Sequence, residues 1–574
     1  MLTRPLTLLL APLALAGCTT THPTASARPL TTQAFAKGMV SAADPRAAAA
    51  GVQMLRQGGS ATDAAIATML ALTVVEPQSS GIGGGGLYVE TNARGDVETI
   101  DGREKAPAAA HPKWFFKDGK VMSFADAVPG GTSVGVPGNV ALAAKAHSRH
   151  GRLAWAALFA PAIKLARDGF AVTPRFHGAL KASSATAAYT PSGRALYYAA
   201  DGEPLPVGTV IRNPALAATL EQVARQGPKA FYSGGNARAL TAQVTTAARN
   251  PAPMTTGDLA AYQAKDRTPV CAAYRQYRIC GMGPPSSGAT TVLATLGQLE
   301  RFDLHALGMA SPTAWHLIAE SQRLAYADRA RYSADADFVT VPVAGMIDRQ
   351  YLAARSALID PAKTMPQVSA GVPPGAEGLS RADAPLAPEY GTSHIAVIDR
   401  EGNAVTYTST IESAFGSGLM TGGYYLNNEL TDFDMQPELG GRMVANRVEG
   451  GKRPRSSMSP TLVFGADGKL LLVVGAAGGA TIPAQVIRTI IGVLDWQLSP
   501  QQALALPVIF APGIDTVFVE QGSNLEAMIP ALTALGHASV LSRPLPLKGN
   551  AIAVSGGRLV GGADPRSEGV ALGE

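Results

Sequence analysis

The sequence predicts layered β-sheets with helices packed outside them, an α+β architecture. Three observations carry that prediction. After residue 392 the chain becomes dense in strands: HIAVID (394–399) and NAVTYTST (403–410) alternate apolar and polar positions across a turn-rich link at 399–402. KLLLVV (469–474) is an unbroken apolar run of the kind buried on both faces of a sheet. Helical patterns with readable ends flank these strands on both sides.

The elements follow in chain order. Arg4 precedes an apolar run over 6–16 that ends in Leu15-Ala16-Gly17-Cys18, the layout of a secretory signal. The run is shorter than the roughly 20 residues that span a bilayer. Its ending resembles the bacterial lipoprotein signal, which implies removal of 1–17, a lipid on Cys18 and a tether over 18–37. The alternative is an ordinary signal peptide with an incidental cysteine. Asp44-Pro45 opens a helix that stops at Gly58-Gly59. Ser60 and Asp63 start a second, strongly apolar helix that should end before Pro77. SGIGGGGLYVE (80–90) is a Gly-rich turn entering a strand. It lacks the G-K-[ST] ending and the following helix of a phosphate loop, so its glycines are read as close backbone packing.

Through 114–387 helices alternate with short strands, and Ser311-Pro312 caps the longest helical stretch, 311–332. Cys271 and Cys280 face each other if VCAAYRQYRIC turns at Arg275-Gln276, within reach of a disulfide. Two free thiols are the other possibility. The Pro-, Gly- and Ala-rich stretch 368–388 reads as an exposed loop delivering the chain to Gly391-Thr392. Beyond it, GGYYLNNELTDF (422–433) and SPTLVF (459–464) read as further strand-rich chain. A helix is expected near 480–494 and another over 525–536, with strands at 537–542 and 551–562.

Of 574 residues 46% are hydrophobic and 16% charged, enough for a large core. The net charge of +5 is small for this length, and GKRPR (451–455) is the one tight basic cluster, without interleaved aromatics. A nucleic-acid surface is therefore not expected.

Three features bear on chemistry. A threonine hydroxyl inside a chain is a poor nucleophile without a base. If the Gly391–Thr392 bond breaks by an N-to-O acyl shift, Thr392 gains an α-amine that titrates near neutrality and can serve as that base. GAAGG (475–479) ends the buried strand with unobstructed amides suited to an oxyanion. Glu412, Glu429, Asp432, Ser456, Ser457 and Arg103 supply acceptors for an ammonium and donors for a carboxylate.

Taken together, EPQSSGIGGGG (76–86), IDGREKAP (100–107), PPSSG (284–288), GTSHIAVID (391–399), NNELTDF (427–433), GKRPRSSMSP (451–460) and AAGG (476–479) resemble the γ-glutamyltransferase family of N-terminal-nucleophile hydrolases. The resemblance runs from about Gly38 to ADPRSEG near the C-terminus. It implies a four-layer αββα sandwich, cut into a large subunit, 38–391, and a small one, 392–574. It implies that Thr392 cleaves the precursor and attacks the substrate, with Thr410 hydrogen-bonding it and Gly478 and Gly479 forming the oxyanion hole. Arg103, Ser456 and Ser457 match the α-carboxylate ligands, and Glu429 and Asp432 the α-amino ligands. Glu412 stands where many members have Asn. The segment between Asp432 and Ser456 is shorter than in members with a developed lid and lacks the lid tyrosine. The expected activity is attack on a γ-glutamyl amide such as glutathione, resolved by water or by an amino-acid or peptide acceptor, without metal or organic cofactor. Rival readings are a glutaryl-type acylase using the same machinery and a non-enzymatic envelope lipoprotein that binds ligands.

Overall fold

Two seven-stranded sheets lie face to face in a computed structural model that describes residues 34–574 apart from 36, 385–390 and 514. Cys18 and the expected signal lie outside the described residues. One sheet runs Ala34–Phe35, Arg558–Ala563, Lys548–Ser555, Leu470–Ala477, Thr461–Phe464, Tyr277–Gly281, Val270–Tyr274. The other runs Val570–Gly573, Met39–Ala42, Ser393–Ile398, Ala404–Thr410, Gly85–Thr91, Val97–Gly102, Lys265–Asp266. Neighbouring strands are antiparallel throughout both. Helices Pro45–Arg56 and Ala61–Val75 pack on the outer face of the second sheet; Gly288–Leu299, Ile482–Leu494 and Pro500–Ala505 pack on that of the first. The layers are therefore α, β, β, α. Each sheet mixes strands from before and after residue 391, so neither part of the chain owns a complete sheet.

Local chemistry explains the boundaries. The Asp44 carboxylate accepts from the Arg46 N–H and caps the first helix. Ser60 and Asp63 form a reciprocal capping box for the second, all of whose residues are buried. Ser311 caps the 21-residue helix Pro312–Tyr332. The 270–281 hairpin turns at Arg275, whose φ is +53°, pairs Tyr274 with Tyr277 and Cys271 with Cys280, and closes a disulfide. Among the described residues no helix is long and apolar enough to cross a membrane.

Three stretches depart from expectation. Residues 422–433 form the two-residue strand Tyr424–Tyr425 and a 3-10 turn, Glu429–Asp432, rather than continuous strand. The stretch 525–536 is broken into the 3-10 turn Glu526–Met528 and the short helix Ile529–Ala534 with Pro530 in its first turn. The 368–384 stretch is irregular but pinned: Ala370 and Ala376 pack with Tyr332 and Met346, Ala382 and Ala384 with Val444, and Asp383 pairs with Arg331 at 2.6 Å.

His394 sits between the sheets. Its ring lies 2.9 Å from Thr408 Oγ1 and 3.3 Å from Thr406 Oγ1, and Thr406 donates across to the Val474 carbonyl at 3.2 Å. A Cβ on Gly475 would stand 2.2 Å from the ring, so the facing strand needs glycine there. Burial pushes this histidine down to about 3 from its ordinary 6.5. Between those values the unfolded chain binds a proton that the folded one refuses. The contribution of His394 is thus complete above pH 6.5 and shrinks as pH falls toward 3, by about 1.4 kcal/mol per pH unit. Denaturant midpoints should therefore be lower at pH 5 than at pH 7. The difference should narrow in His394→Asn; an equal difference in the variant would clear this residue as its source.

Candidate active site

The strand Ser393–Ile398 pairs with Ala404–Thr410 in a register that sets Ser393 opposite Ser409. One step outward, Thr392 meets Thr410, and its Oγ1 donates to Thr410 Oγ1 at 3.2 Å. Thr410 Oγ1 also accepts the Glu412 N–H at 2.8 Å. Both threonines are buried. Thr392 has φ +136°, a torsion that a β-branched residue rarely adopts and that costs about 1–3 kcal/mol. A Cβ on Gly391 would stand 1.9 Å from the Glu412 carbonyl oxygen, so only glycine fits before the threonine. Glu412 is itself left-handed, at φ +72°.

The Gly-rich stretch packs behind this point. Cβ atoms on Gly83 and Gly84 would stand 2.0 Å from the Tyr425 carbonyl and 1.9 Å from the Thr410 carbonyl. These glycines let the strand approach the backbone that carries Thr410, which is the close packing expected of them.

Arg103 follows the strand Val97–Gly102 and is fully buried. Its guanidinium bridges Glu429 and Asp432 and donates to the carbonyls of Pro454 (3.2 Å) and Arg455 (2.9 Å). Burial alone would lower this guanidinium, but Glu429, Asp432 and Glu104 outweigh it and hold it above its ordinary range. Burial raises Glu429 well above the usual carboxylate range despite Arg103. Beneath, Asp101 accepts the Arg103 N–H at 2.8 Å and pairs with Arg453 at 2.6 Å and Arg267 at 2.9 Å.

Ser456 and Ser457 come from the segment before strand Thr461–Phe464. PPSSG braces it: the Ser287 N–H and hydroxyl both donate to the Ser456 carbonyl at 2.8 Å, and Ser286 Oγ donates to the Met458 carbonyl at 2.9 Å. Arg329, near the end of the long helix, donates to Ser287 Oγ at 2.8 Å and to Ser457 Oγ at 2.5 Å. Gly478 and Gly479 end the strand Leu470–Ala477 at φ +128° and +59°, and a Cβ on Gly478 would stand 1.9 Å from the Pro546 carbonyl.

One cavity gathers Thr392, Thr410, Gly479, Arg103, Glu412, Glu429, Asp432, Ser456 and Ser457, with Met458 and Ile482 as apolar walls. Gly478 lines an adjoining cavity that Thr392 also borders. Nine of the ten residues singled out from sequence thus line one cavity, and Gly478 lines the cavity beside it. Sequence reasoning passed over the groups that hold them. Glu104 sits 3.9 Å from the Arg103 guanidinium, and burial, against the pull of Arg103, pushes its carboxyl up to about 7. The Asn428 amide and the Ser413 hydroxyl both donate to the Glu412 carboxylate. Glu104 and Asn428 lie inside the IDGREKAP and NNELTDF stretches, a signal that was available; Arg329, on a distant helix, offered none.

Among the described residues one group has metal-like composition, His316, Glu320 and His537. Its atoms serve one another: the two rings meet at 2.8 Å, His316 reaches the Asp360 carbonyl at 2.9 Å, and Glu320 accepts from Arg323, Thr364 and the Met365 N–H. His316 is thirteen residues from Arg329 on one helix, about 20 Å along its axis.

Known proteins match this chain across nearly its whole length. The match to the gamma-glutamyltranspeptidase family covers residues 47–574. The glutathione hydrolase proenzyme of Bacillus subtilis (strain 168) is 36% identical, over 99% of this chain and 98% of its own. That of Escherichia coli (strain K12) is 35% identical, over 92% and 90%. Among solved structures, cephalosporin acylase from Bacillus halodurans superposes with a TM-score of 0.84 at 25% identity, over 98% of this chain and 99% of its own. With sequence and fold agreeing over nearly the whole chain, it belongs to the gamma-glutamyltranspeptidase family.

Proposed function

We propose that the protein is a glutathione hydrolase and γ-glutamyltransferase that makes its own nucleophile by cutting before Thr392. The observation that carries this reading is the strained, buried Thr392 hydrogen-bonded to Thr410 inside the cavity that also holds Arg103, Glu429 and Asp432. Thr392 Oγ1 attacks the Gly391 carbonyl carbon, the C–N bond breaks, and water hydrolyses the resulting ester. The products are a Gly391 carboxylate and a free α-amine on Thr392. Release of the φ +136° torsion favours the cut.

In turnover the α-amine takes the proton of the Thr392 hydroxyl as the oxygen attacks the γ-carbonyl. The Gly478 and Gly479 amides hold the oxyanion, a contribution of about 3–4 kcal/mol in comparable sites. The amine departs with the proton, leaving a γ-glutamyl ester on Thr392. Water then releases glutamate, or an amino acid or peptide gives a new γ-glutamyl product. Arg103 with Glu429 and Asp432 suits a zwitterion: an amino-acid head group inserted between them meets the guanidinium with its carboxylate and the acids with its ammonium. Ser456 and Ser457 add donors on the carboxylate side, and Glu412 an acceptor on the ammonium side. A glutaryl side chain, lacking the ammonium, would leave the acids unmatched, which weighs against the acylase reading despite the cephalosporin acylase likeness. The segment between Asp432 and Ser456 carries a small hairpin, Glu438–Leu439 against Arg442–Met443, and this modest cover favours water reaching the ester. The N-terminal pattern supports export and anchoring through a lipid on Cys18.

Four outcomes test the reading. Thr392→Ala should stay a single chain with turnover lost, whereas the native protein gives a fragment whose N-terminal sequence begins TSHIAVID; cleavage in the variant would refute the scheme. Arg103→Lys, which loses the two-pronged grip, should raise KM for γ-glutamyl amides by about tenfold or more, and the native enzyme should prefer γ-glutamyl to glutaryl chromogenic amides. With a dipeptide acceptor present, free glutamate should remain a major product; near-complete transpeptidation would contradict the open-lid reading.

A further inference from the structure

Lys548 opens the strand Lys548–Ser555 of the first sheet and stands opposite Ala477, the residue before Gly478 and Gly479. One side chain ties its backbone to that strand end: Gln485 Oε1 accepts the Lys548 N–H at 3.1 Å, and Gln485 Nε2 donates to the Ala477 carbonyl at 2.8 Å. The lysine side chain is buried and crosses to the second sheet, where Nζ donates to Ser393 Oγ at 3.3 Å. Ser393 directly follows Thr392. One residue thus spans from the glycine amides to the neighbour of the nucleophile.

The far end of this strut is anchored. Nζ also donates to Glu76 Oε2 at 2.9 Å and to Ser79 Oγ at 3.1 Å, and Ser393 Oγ donates to the same Glu76 oxygen at 2.7 Å. An ammonium has three hydrogens and no acceptor, so these three oxygens match the protonated lysine one for one. A neutral amine has two hydrogens and would leave the buried Glu76 charge without its nearest counter-ion. Arg175 stands farther off, 3.9 Å from Glu76 Oε1. Arg566 is held by Glu520 and Asp564, and Asp44 by Arg46. Burial and, to a lesser degree, Arg175 bring Lys548 down to about 8 from its ordinary 10.5, against the pull of Glu76 and Asp44. Glu76 and Ser79 precede residue 391, whereas Ser393 and Lys548 follow it.

We propose that Lys548 is a positioning residue: its ammonium, anchored on Glu76, holds Thr392 and the Gly478 and Gly479 amides at the spacing that attack requires. The inference rests on the reading of Thr392 as nucleophile. Lys548 acts through Ser393 on one side and through the strand end on the other, and it keeps its proton throughout turnover. Loss of that proton removes one of three hydrogen bonds and unbalances Glu76, so the hydroxyl and the amides lose their register. A misplacement of about 1 Å in such a site costs on the order of a hundredfold in rate. Head-group binding is left intact, because Arg103, Glu429 and Asp432 line the other cavity. The signature is therefore a kcat that falls as Lys548 titrates, while affinity for the head group holds.

The test follows kcat for a γ-glutamyl nitroanilide between about pH 6 and pH 10, with the inhibition constant of free glutamate as the measure of head-group binding. In the native enzyme kcat should fall with a midpoint at about 8. Lys548→Met should lower kcat at neutral pH by about tenfold or more, abolish that alkaline fall and leave the glutamate constant within about twofold. Lys548→Arg keeps a charge at alkaline pH and should recover part of kcat, again without the fall. An alkaline fall that persists unchanged in either variant overturns the proposal, and so does full kcat in Lys548→Met. Ser393→Ala cuts the strut beside Thr392 and spares the ion pair; it should lower kcat about threefold or more at an unchanged glutamate constant. Unaltered kcat in Ser393→Ala overturns the proposal even where Lys548→Met fails to mature. Absence of turnover in the native enzyme would instead refute the nucleophile reading itself, a result separable from a failed profile.

Discussion

Burying the Arg103 guanidinium takes a full charge out of water, and the fold offsets that cost with two acids more than 300 residues away in sequence, Glu429 and Asp432. The rest of the site is arranged around this contact. It joins the end of strand Val97–Gly102 to the 3-10 turn Glu429–Asp432, which fixes one wall of the cavity. The Pro454 and Arg455 carbonyls each accept a further guanidinium N–H, so the same contact draws in the segment that carries Ser456 and Ser457. Removing either sign would leave the other buried without a counter-charge, a far larger loss than the pair itself is worth. The arrangement also has chemical meaning, because opposite charges held side by side match the two ends of an amino-acid head group.

A second constraint is steric. Carbonyl oxygens of Thr410, Glu412 and Tyr425 come so near to Gly84, Gly391 and Gly83 that a methyl group has no room at any of the three. Thr392 and Thr410 can face each other because the chain lacks side chains where three backbones converge. The glycine-rich stretch is no phosphate cradle but part of the packing that brings Thr410 up to Thr392.

Much of this was legible in the sequence because its causes are local. Asp44-Pro45, Ser60 with Asp63 and Ser311-Pro312 mark helix starts by capping chemistry alone, and the alternation of 393–410 specifies both strands and their hairpin. Ten residues that line the two adjoining cavities were legible as candidates through ordered motifs. What stayed hidden depends on distant partners. Nothing near Arg329 announces that it holds Ser457, which lies 128 residues further along the chain. Residues 422–433 read as strand from their aromatic and apolar content, yet the ion pairs of Glu429 and Asp432 require a tight turn. The sequence alone does not decide between two thiols and a disulfide at Cys271 and Cys280, because both are compatible with the same hairpin; in the structure the two sulfurs are joined.

The interleaving of strands from both sides of residue 391 has a consequence for how such an enzyme lasts. An uncut chain that unravels searches for its native state alone, as one molecule. Once severed, the two polypeptides would have to find each other again, and each would meanwhile expose sheet edges that only the other can cover. Recovery then depends on concentration and competes with aggregation, so the durability of the matured enzyme is set by how slowly it first opens.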